Sequence, residues 1–396
     1  MEGDFIRINK WLTPLSWLYG LGVGLRNTLF NIGVLKSRAF DIPVISVGNI
    51  TVGGTGKTPH VEYLIQLLQA HHRVAVLSRG YKRKSSGFVM ATAQTPMPEI
   101  GDEPYQMKQK FPQVTVAVDK NRCHGIDLLT DNEQHFDVIL LDDAYQHRYV
   151  KPGINILLVD YHRLIIYDKL LPAGQLREPL SGKDRADIVI VTKCPKGMKP
   201  MEYRVIRKAM GLYPYQQLFF TSIGYQQQLQ PVFPTAEKGQ QAEALKLSAL
   251  KQRHVLLLTG IGSPKQMQHD LQPLAKQVTP LAFRDHHEFS KKDIQHINET
   301  FDALPSPSIV ITTEKDAPRL LQQATGLSDK VRANLYILPI CVRFLQEQGE
   351  IFNNYIINYV HKNSRDSILV KRKDDSKSQD SHCAGDRTRT ISFRNH

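Results

Sequence analysis

The chain has 396 residues, with 51 lysines and arginines against 38 aspartates and glutamates, and a formal net charge of +13. Its 41% hydrophobic content excludes a disordered chain and a polytopic membrane protein. The 4 cysteines are widely spaced, so we expect neither a disulfide scaffold nor a structural zinc site. At about 100–200 residues per domain the length predicts two globular domains. The positive charge predicts an anionic partner: nucleic acid, a membrane surface or a phosphorylated substrate.

An uncharged stretch near the start of the chain, from Trp11 to Leu25, is shorter than the ~20 residues that span a bilayer. It contains two tryptophans, Trp11 and Trp17, and basic residues flank it, a content typical of a membrane interface. Two interpretations of residues 1–40 remain open at this point. One is an interfacial helical segment, and the other is a helical hairpin packed on the following domain.

From Asp41 onward, apolar β-branched runs alternate with helical patterns. A helix beginning at Pro59 is predicted from the apolar stripe of Val61, Leu64, Ile65 and Leu68. The predicted strands are 42–49, 74–78, 114–118, 138–143, 154–160 and 186–193. This alternation predicts an α/β domain over 41–212, in which helices cover both faces of a parallel sheet.

The pattern changes in the second half of the chain. Residues 213–245 are rich in glutamine and are predicted to form a linker ribbon. The α/β alternation then resumes, which predicts a second, smaller α/β domain over 246–363. Residues 364–396 show little apolar periodicity, and we expect a disordered tail there.

The strongest motif is Thr51-Val52-Gly53-Gly54-Thr55-Gly56-Lys57-Thr58, which follows a predicted strand and opens a predicted helix. This is the context of a P-loop, whose glycines let backbone N–H groups approach a polyphosphate. Lys57 would contact the β- and γ-phosphates, and the Thr58 hydroxyl would bind Mg²⁺. The first position is threonine where the P-loop pattern has glycine. The motif predicts a site for a nucleoside triphosphate.

A second apolar strand ends in two carboxylates, Asp142 and Asp143, which Gln146 and His147 follow. Ligands of open α/β sheets bind at the carboxyl ends of strands, where a carboxylate coordinates Mg²⁺ directly or through water. Successive side chains of a strand point to opposite faces, so we expect different roles for Asp142 and Asp143. A solvated turn after the strand is the alternative interpretation.

Two further clusters are candidates for the chemistry of the γ-phosphate. One contains Asp102 and Glu103 in GDEP, and the other is Asp285-His286-His287 in the second predicted domain. Arg79 in SRGYKR is a further candidate. A nucleotide site on one domain and a His/Asp cluster on the other predict catalysis in the cleft between them. A helix-capping turn and a polar surface turn remain the alternatives.

These motifs together resemble the tetraacyldisaccharide 4'-kinases, the lipid A kinases of Gram-negative bacteria. The resemblance extends from about residue 10 to about residue 360, and Thr51 is ordinary at its position in this family. The matching motifs, in the order of the family, are VGNITVGGTGKTP (47–59), LSRGYKR (77–83), GDEP (101–104), LLDDAYQHR (140–148), LLPAGQLREP (170–179), FRDHHEF (283–289) and TTEKDAPRL (312–320).

The resemblance implies a two-domain α/β enzyme with a membrane-associated N-terminal segment. Such an enzyme transfers the γ-phosphate of ATP, with Mg²⁺, to the 4'-hydroxyl of tetraacyldisaccharide 1-phosphate, which forms the lipid IV-A precursor of lipopolysaccharide. It implies a peripheral or monotopic location at the cytoplasmic face of the inner membrane. The expected partners are the lipid substrate and an anionic membrane surface, and no nucleic acid.

The resemblance also implies roles for individual residues. Asp102 is implied as the catalytic base, Glu103 lies beside it, and a histidine of the DHH motif acts with the base. The family pattern favours His286 over His287. Lys57 and Thr58 are implied at the phosphates and the metal. Asp142, Asp143 and His147 are implied around the metal and the nucleotide.

Two other classes remain as alternatives. GGTGKT also resembles the deviant P-loop of membrane-associated positioning and partitioning ATPases, but a signature lysine stands there where this chain has Val52. A basic nucleic-acid-binding NTPase would agree with the charge, but no recognisable nucleic-acid-binding module is present in the sequence.

Overall fold

The computed structural model describes residues 6, 8–131, 134–233, 244–261, 264–285 and 287–363. The predicted catalytic His286, the predicted tail 364–396 and residues 234–243 of the predicted linker lie outside the described residues. In the described part of the chain Cys123, Cys194 and Cys341 are free thiols.

The described residues form two sheets, and the helices connect and cover their strands. The strands are β1 (Val44–Gly48), β2 (Val74–Ser78), β3 (Val89–Met90), β4 (Thr115–Val118), β5 (Val138–Asp142), β6 (Ile154–Asp160), β7 (Ile188–Thr192), β8 (Gln217–Tyr225), β9 (Gln228–Pro231), β10 (Leu245–Lys246), β11 (His254–Thr259), β12 (Gln277–Ala282), β13 (Ser308–Thr312), β14 (Leu335–Ile337) and β15 (Ile340–Phe344). The α-helices are α1 (Thr13–Asn31), α2 (Lys57–Leu68), α3 (Met97–Ile100), α4 (Asp102–Lys110), α5 (Arg122–Thr130), α6 (Pro200–Met210), α7 (Pro264–Leu271), α8 (Lys291–Asp302), α9 (Ala317–Leu321), α10 (Asp329–Ala333) and α11, residues 349–363.

The larger sheet has nine strands in the order β15-β8-β7-β6-β1-β5-β2-β4-β3. Seven of these strands, from β8 to β4, run parallel, and antiparallel β15 and β3 form the two edges. The strand β1 lies at the centre between β5 and β6, so the segment that follows it emerges in the middle of the carboxyl edge. This mixed α/β architecture with a large, mainly parallel sheet agrees with the sequence prediction.

Helices cover both faces of this sheet, as the continuous apolar runs predict. In β5, Val138 and Leu140 join the core beneath α2, whereas Ile139 and Leu141 join the core beneath α5. The predicted stripe of α2 is fully buried in the first of these cores. Burial on both sides explains why the strands read as uninterrupted apolar runs rather than as alternating ones.

The smaller sheet has six strands in the order β10-β9-β14-β13-β11-β12. Its strands β14, β13, β11 and β12 run parallel to one another. The strand β9 pairs antiparallel with β14, and β10 pairs antiparallel with β9. The helices α8 and α9 contribute Ile294, Ile297 and Leu320 to the core on one face. The segment between β13 and α9 contacts the larger sheet's helix α4, as described below.

Two segments belong to a different sheet from the one that the predicted boundaries imply. The strand β8 lies in the predicted linker 213–245 but pairs with β7 inside the larger sheet. The strand β15 and α11 lie in the predicted second domain 246–363, yet β15 pairs with β8. The helix α11 buries Phe352, Ile356 and Val360 in the larger sheet's core. Their local patterns suit either sheet, so only the tertiary pairing distinguishes the two.

The helix α1 lies on the larger sheet's carboxyl side, where it is held by polar contacts. Ser16 Oγ donates to the Leu170 carbonyl at 3.0 Å, and Tyr19 Oη donates to the Arg177 carbonyl at 2.9 Å. The helix and the short turn before it also expose large apolar side chains, which are Trp11 in the turn and Leu15, Trp17, Leu18, Leu21 and Leu25 in α1. No helix among the described residues has the length and apolar content needed to cross a membrane.

Candidate active site

The predicted P-loop connects β1 to α2 at the centre of the carboxyl edge. Gly56 has φ 84° and ψ 28°, a left-handed conformation that glycine adopts at little cost, and α2 begins at the next residue, Lys57. Thr51 and Thr55 are buried and Val52, Gly53 and Gly54 are exposed. The exposed apex and the amino end of α2 together form the kind of surface that binds phosphate.

A buried histidine holds the loop in this shape. His60 Nδ1 lies 2.7 Å from the Gly56 carbonyl, and its Nε2 lies 3.0 Å from Thr221 Oγ1. Because a carbonyl can only accept, Nδ1 carries the proton and Thr221 donates to Nε2. Burial lowers the pKa of His60 to about 4. The imidazole is therefore neutral at pH 7, and it ties the end of the P-loop to β8.

Other contacts tether the loop on its remaining sides. Thr192 Oγ1, at the end of β7, donates to the Thr55 carbonyl at 2.9 Å, and Asn49 Nδ2 donates to Thr55 Oγ1 at 3.0 Å. Lys193 Nζ donates to the Gly54 carbonyl and forms a 2.7 Å ion pair with Asp160. These bonds fix the loop before any ligand binds, which reduces the ordering cost of binding.

The LREP motif lies alongside the P-loop. Val52 N–H donates to the Gln175 carbonyl at 2.8 Å, and Arg177 N–H donates to the Ile50 carbonyl at 2.8 Å. Glu178 is buried and forms a 2.7 Å ion pair with Arg185. The backbone of this segment supports the P-loop, and the Arg177 side chain reaches a neighbouring cavity.

Asp142 and Asp143 have different environments, although β5 ends at Asp142 rather than at the predicted residue 143. Asp142, the last residue of β5, is fully buried, and its Oδ2 accepts a 3.0 Å hydrogen bond from Ser78 Oγ. Asp143 has φ 47°, a left-handed conformation that turns the chain away from the strand. Its Oδ1 lies 3.6 Å from Lys57 Nζ, so the P-loop lysine and the second carboxylate form an ion pair.

Electrostatics distinguish Asp142 further. Burial and the nearby charges of Glu103 and Asp143 raise the pKa of Asp142, while Lys57 and the Ser78 bond oppose the rise. Glu103 is thus close enough to Asp142 to act on its charge, although the two are far apart in sequence. A cation bound at this point would relieve the repulsion among the carboxylates.

The residues present fit a magnesium ion that shares its coordination with a nucleotide. Asp142 Oδ1 and Asp143 Oδ1 are buried and have no hydrogen-bond partner in the described part of the chain. Mg²⁺ binds through one or two carboxylates together with substrate phosphates. Among the described residues no group of three or more His, Cys, Asp or Glu could hold a metal alone. Thr58 lies in the first turn of α2 and is half-buried.

His147 lies among arginines at the same edge. Burial, together with the positive charges of Arg122, Arg26 and Arg79, lowers the pKa of His147 to about 4. Its Nε2 is buried without a hydrogen-bond partner among the residues that the structure describes. The imidazole is therefore neutral at pH 7 and available to bond a ligand group.

The GDEP motif begins α4, with Asp102 and Glu103 in its first turn. The preceding Gly101 has φ 92° and ψ 165°, and a Cβ there would lie 2.8 Å from the Tyr81 carbonyl. Only glycine fits this position, which explains why it precedes the two carboxylates. Asp102 accepts a hydrogen bond from Arg319 Nη2 of α9. The positive end of the α4 dipole stabilises both carboxylates.

The two described residues of the DHH motif belong to the second sheet's loops. Asp285 Oδ1 lies 3.0 Å from Lys315 Nζ. His287 Nε2 lies 3.0 Å from Asp293 Oδ2 and stacks on Phe283 at 4.8 Å between ring centroids. Since Asp293 also closes the capping box of α8, His287 is part of that structural turn.

A cavity of about 420 Å³ opens between α1 and the carboxyl edge. The helix α1 contributes one wall, and basic and acidic groups of the edge contribute the others. The lining residues used below are Tyr19, Arg26, Arg79, Glu103, Asp143 and Arg177.

Several residues of the site escaped the sequence prediction. Arg122 is buried, and its Nη2 lies 3.4 Å from the carbonyls of both Asp142 and Asp143, so it holds the turn after β5. Arg26, His60 and Tyr19 were also missed as site residues. The arginine and the tyrosine lie in residues 1–40, for which the sequence suggests either a membrane contact or packing on the following domain, but no role in the site. For His60, its position two residues after the GKT of the P-loop is the signal in the sequence that could have indicated a role beside the loop.

Comparisons with known proteins show the family to which the chain belongs. The family model described as Tetraacyldisaccharide-1-P 4'-kinase matches residues 8–358. A tetraacyldisaccharide 4'-kinase of Phocaeicola vulgatus is 57% identical over 371 residues, which are 93% of this chain and 99% of the relative. The enzyme of that name from Bacteroides thetaiotaomicron is 54% identical over 377 residues, 94% of this chain and 99% of the relative.

A crystal structure of LpxK from Aquifex aeolicus, described as an "apo" form in complex with ATP, is similar with a TM-score of 0.67 and 31% identity. The match covers 89% of this chain and 99% of the other. With a family model matched over nearly all the described residues, the chain belongs to the tetraacyldisaccharide-1-P 4'-kinase family and is a kinase.

Proposed function

We propose that this kinase transfers the γ-phosphate of ATP to the 4'-hydroxyl of tetraacyldisaccharide 1-phosphate, with Mg²⁺, at a membrane surface. The names of its relatives support this acceptor, and the Aquifex aeolicus structure, whose description names ATP, supports the donor. The observation that carries the proposal is the cavity beside the P-loop, which Glu103 and Asp143 line on one side and α1 on the other.

The nucleotide side of the reaction needs positive charge and fixed backbone donors. In this proposal the exposed P-loop apex binds the phosphates, and Lys57 moves from Asp143 to the β- and γ-phosphates. Thr58, Asp142 and Asp143 hold Mg²⁺, which neutralises phosphate charge when bound. Lys57 then stabilises the charge of the transferring group, which spreads over its oxygens in a loose transition state. His147 contributes a neutral imidazole to the nucleotide side.

The acceptor side needs a group that orients the sugar hydroxyl and takes its proton. We assign this role to Asp102, with Glu103 beside it and His286 as the residue that acts with the base. The hydroxyl oxygen forms a bond to the γ-phosphorus while the bond to the β-phosphate oxygen breaks, and the proton passes to the carboxylate late in transfer. ADP leaves, and the product is a phosphate monoester.

The cavity suits a phosphorylated sugar. The arginines Arg26, Arg79 and Arg177 contribute its positive charge. A guanidinium group can bind a phosphate through two parallel N–H···O hydrogen bonds. Tyr19, from α1, adds an aromatic surface on which a sugar ring can lie. In this proposal the two sheets form two domains, and the acceptor binds at the larger one.

The helix α1 would place this cavity at a membrane surface. A surface helix normally buries its apolar face, but α1 exposes Trp17, Leu18 and Leu21 and is held on the protein by polar contacts. Trp11, in the turn before α1, is exposed as well. An acceptor with four acyl chains leaves a bilayer only at a cost of about 0.8 kcal/mol per CH₂. We therefore infer a peripheral or monotopic attachment at the cytoplasmic face of the inner membrane.

The test is a transfer assay with γ-labelled ATP, Mg²⁺ and tetraacyldisaccharide 1-phosphate in vesicles. We expect label in the lipid fraction, and none when the acceptor already carries a 4'-phosphate. Release of label as inorganic phosphate at the same rate with and without the acceptor would contradict the proposal. That result would favour an ATPase of the positioning and partitioning type.

A further inference from the structure

The segment 313–319 runs from the end of β13 into α9, on the side of the six-stranded smaller sheet, and is part of the TTEKDAPRL motif. The proposed reaction assigns it no role. Its charged side chains nevertheless contact distant parts of the chain. Lys315 contacts Asp285, Glu314 contacts Lys110, and Arg319 contacts Asp102. Two of these contacts are on α4, the helix that begins with the proposed base.

The Arg319 side chain is buried and fixed on its own side. Only 5% of it is exposed, and its Nη1 lies 3.4 Å from Oδ1 of the fully buried Asp316. Asp316 Oδ2 in turn accepts hydrogen bonds from Gly260 N–H at 2.8 Å and from Thr313 Oγ1 at 2.7 Å. A buried guanidinium is tolerated when carboxylates pair with it. This network therefore holds the guanidinium in one position at the end of β11 and β13.

From that position Arg319 Nη2 donates to Asp102 Oδ2 across the junction of the two sheets. The other end of α4 is held from the same segment. Lys110 Nζ lies 2.5 Å from Glu314 Oε1 and 2.6 Å from Glu62 Oε2 of α2. Burial alone would lower the pKa of Lys110, but Glu62 and Glu314 raise it, so the lysine stays charged. The segment 313–319 thus contacts both the first and the last residue of α4.

We propose that Arg319 is a positioning residue that orients the carboxylate of Asp102 for phosphoryl transfer. The inference rests on the proposed function, because it takes Asp102 as the base. A base acts when its oxygen lies within about 2.6–3.2 Å of the atom whose proton it removes, and a misplacement of about 1 Å costs about 10²-fold in rate. Since Arg319 belongs to the smaller sheet's side, the contact of the two sheets through this segment contributes to the orientation of Asp102.

The test compares Arg319→Gln and Arg319→Lys with wild type in the lipid transfer assay, each alone and combined with Asp102→Asn. We expect Arg319→Gln to lower kcat about 10²-fold and to leave KM for ATP within about twofold. Arg319→Lys keeps a positive charge beside Asp316 but lacks the planar guanidinium group. Its kcat should therefore lie between the kcat of wild type and that of Arg319→Gln. In the Asp102→Asn background Arg319→Gln should have little further effect on kcat, because the carboxylate that it orients is gone.

The matched control is Arg332→Gln, which removes an arginine from the exposed Arg332–Asp329 pair of α10 in the same part of the molecule. Its kcat should equal that of wild type, and thermal melting shows whether each variant is folded.

A folded Arg319→Gln with wild-type or higher kcat overturns the proposal, and a higher kcat would mean that Arg319 masks the base. Equal losses with and without Asp102→Asn also overturn it, since they indicate a merely structural role. A wild type that transfers no phosphate refutes the proposed function and this inference with it.

Discussion

Removing Trp17 of α1 and Trp11 of the turn before it tests the membrane proposal most directly, because both side chains are largely exposed. Trp11 is 92% exposed and Trp17 is 74% exposed. An aromatic side chain of about 200 Å² at about 25 cal/mol per Å² is worth about 5 kcal/mol when fully withdrawn from water. If half of the exposed area enters the interface, the Trp11→Ala/Trp17→Ala variant loses about 3 kcal/mol of membrane affinity, after allowance for the alanines. That corresponds to about 10²-fold in the partition coefficient.

The assay is co-sedimentation with vesicles of phosphatidylglycerol and phosphatidylethanolamine over a range of lipid concentrations. The melting temperature should stay near that of wild type, because substitutions at exposed positions change the free energy of unfolding by less than about 0.5 kcal/mol. The rates of ATP hydrolysis and of phosphate transfer to a detergent-dispersed acceptor should also stay near those of wild type. The control variant is Tyr213→Ala/Tyr215→Ala, which removes two exposed, stacked rings outside α1. Vesicle binding of the tryptophan variant equal to that of wild type would refute the interfacial role of α1.

Three further predictions concern the edge of the larger sheet. Lys57→Met should lower kcat about 10²–10³-fold, because it removes charge stabilisation of the transferring phosphate; the measurement is steady-state transfer kinetics. Asp102→Asn should lower kcat about 10²–10⁴-fold and leave ATP affinity unchanged, as measured by calorimetric titration. Mg²⁺ affinity should rise as the pH rises through neutrality, because the raised pKa of Asp142 keeps that carboxyl protonated at lower pH, and only the ionised form binds the metal.

The exposed Lys330–Asp302 pair provides controls for the first two changes. Lys330→Met and Asp302→Asn should leave kcat unchanged. Wild-type kcat in Lys57→Met would be incompatible with the P-loop assignment, and wild-type kcat in Asp102→Asn would mean that another group is the base. A Mg²⁺ affinity that is constant from about pH 5 to about pH 8 would exclude Asp142 as a ligand.

Much of the fold could be predicted because its signals are local. The strand β1, the turn with GKT and the stripe of α2 lie within one continuous stretch, and burial on both sheet faces leaves an apolar run that sequence alone reveals. The same holds for β5 and its terminal Asp142 and Asp143. The different environments of these two carboxylates come from the turn at Asp143, because β5 ends at Asp142.

The placement of β8, β15 and α11 could not be predicted in this way. Their local patterns predict a strand or a helix but not the sheet that it joins, because that depends on contacts with residues far away in sequence. For the same reason, no local sequence pattern predicts that α1 forms a wall of the cavity or that His60 bonds to Thr221.

The sequence by itself determined the α/β class, the P-loop at the end of β1 and the family, because each depends on the order of residues along short segments. It also identified the TTEKDAPRL motif without assigning a role to it. Only the tertiary structure decided that Arg319 meets Asp102, that Glu103 acts on Asp142, and that α1 turns its apolar face outward. These features depend on how segments distant in sequence are placed in the fold, and the first depends on how the two sheets contact each other. No local pattern encodes such placements.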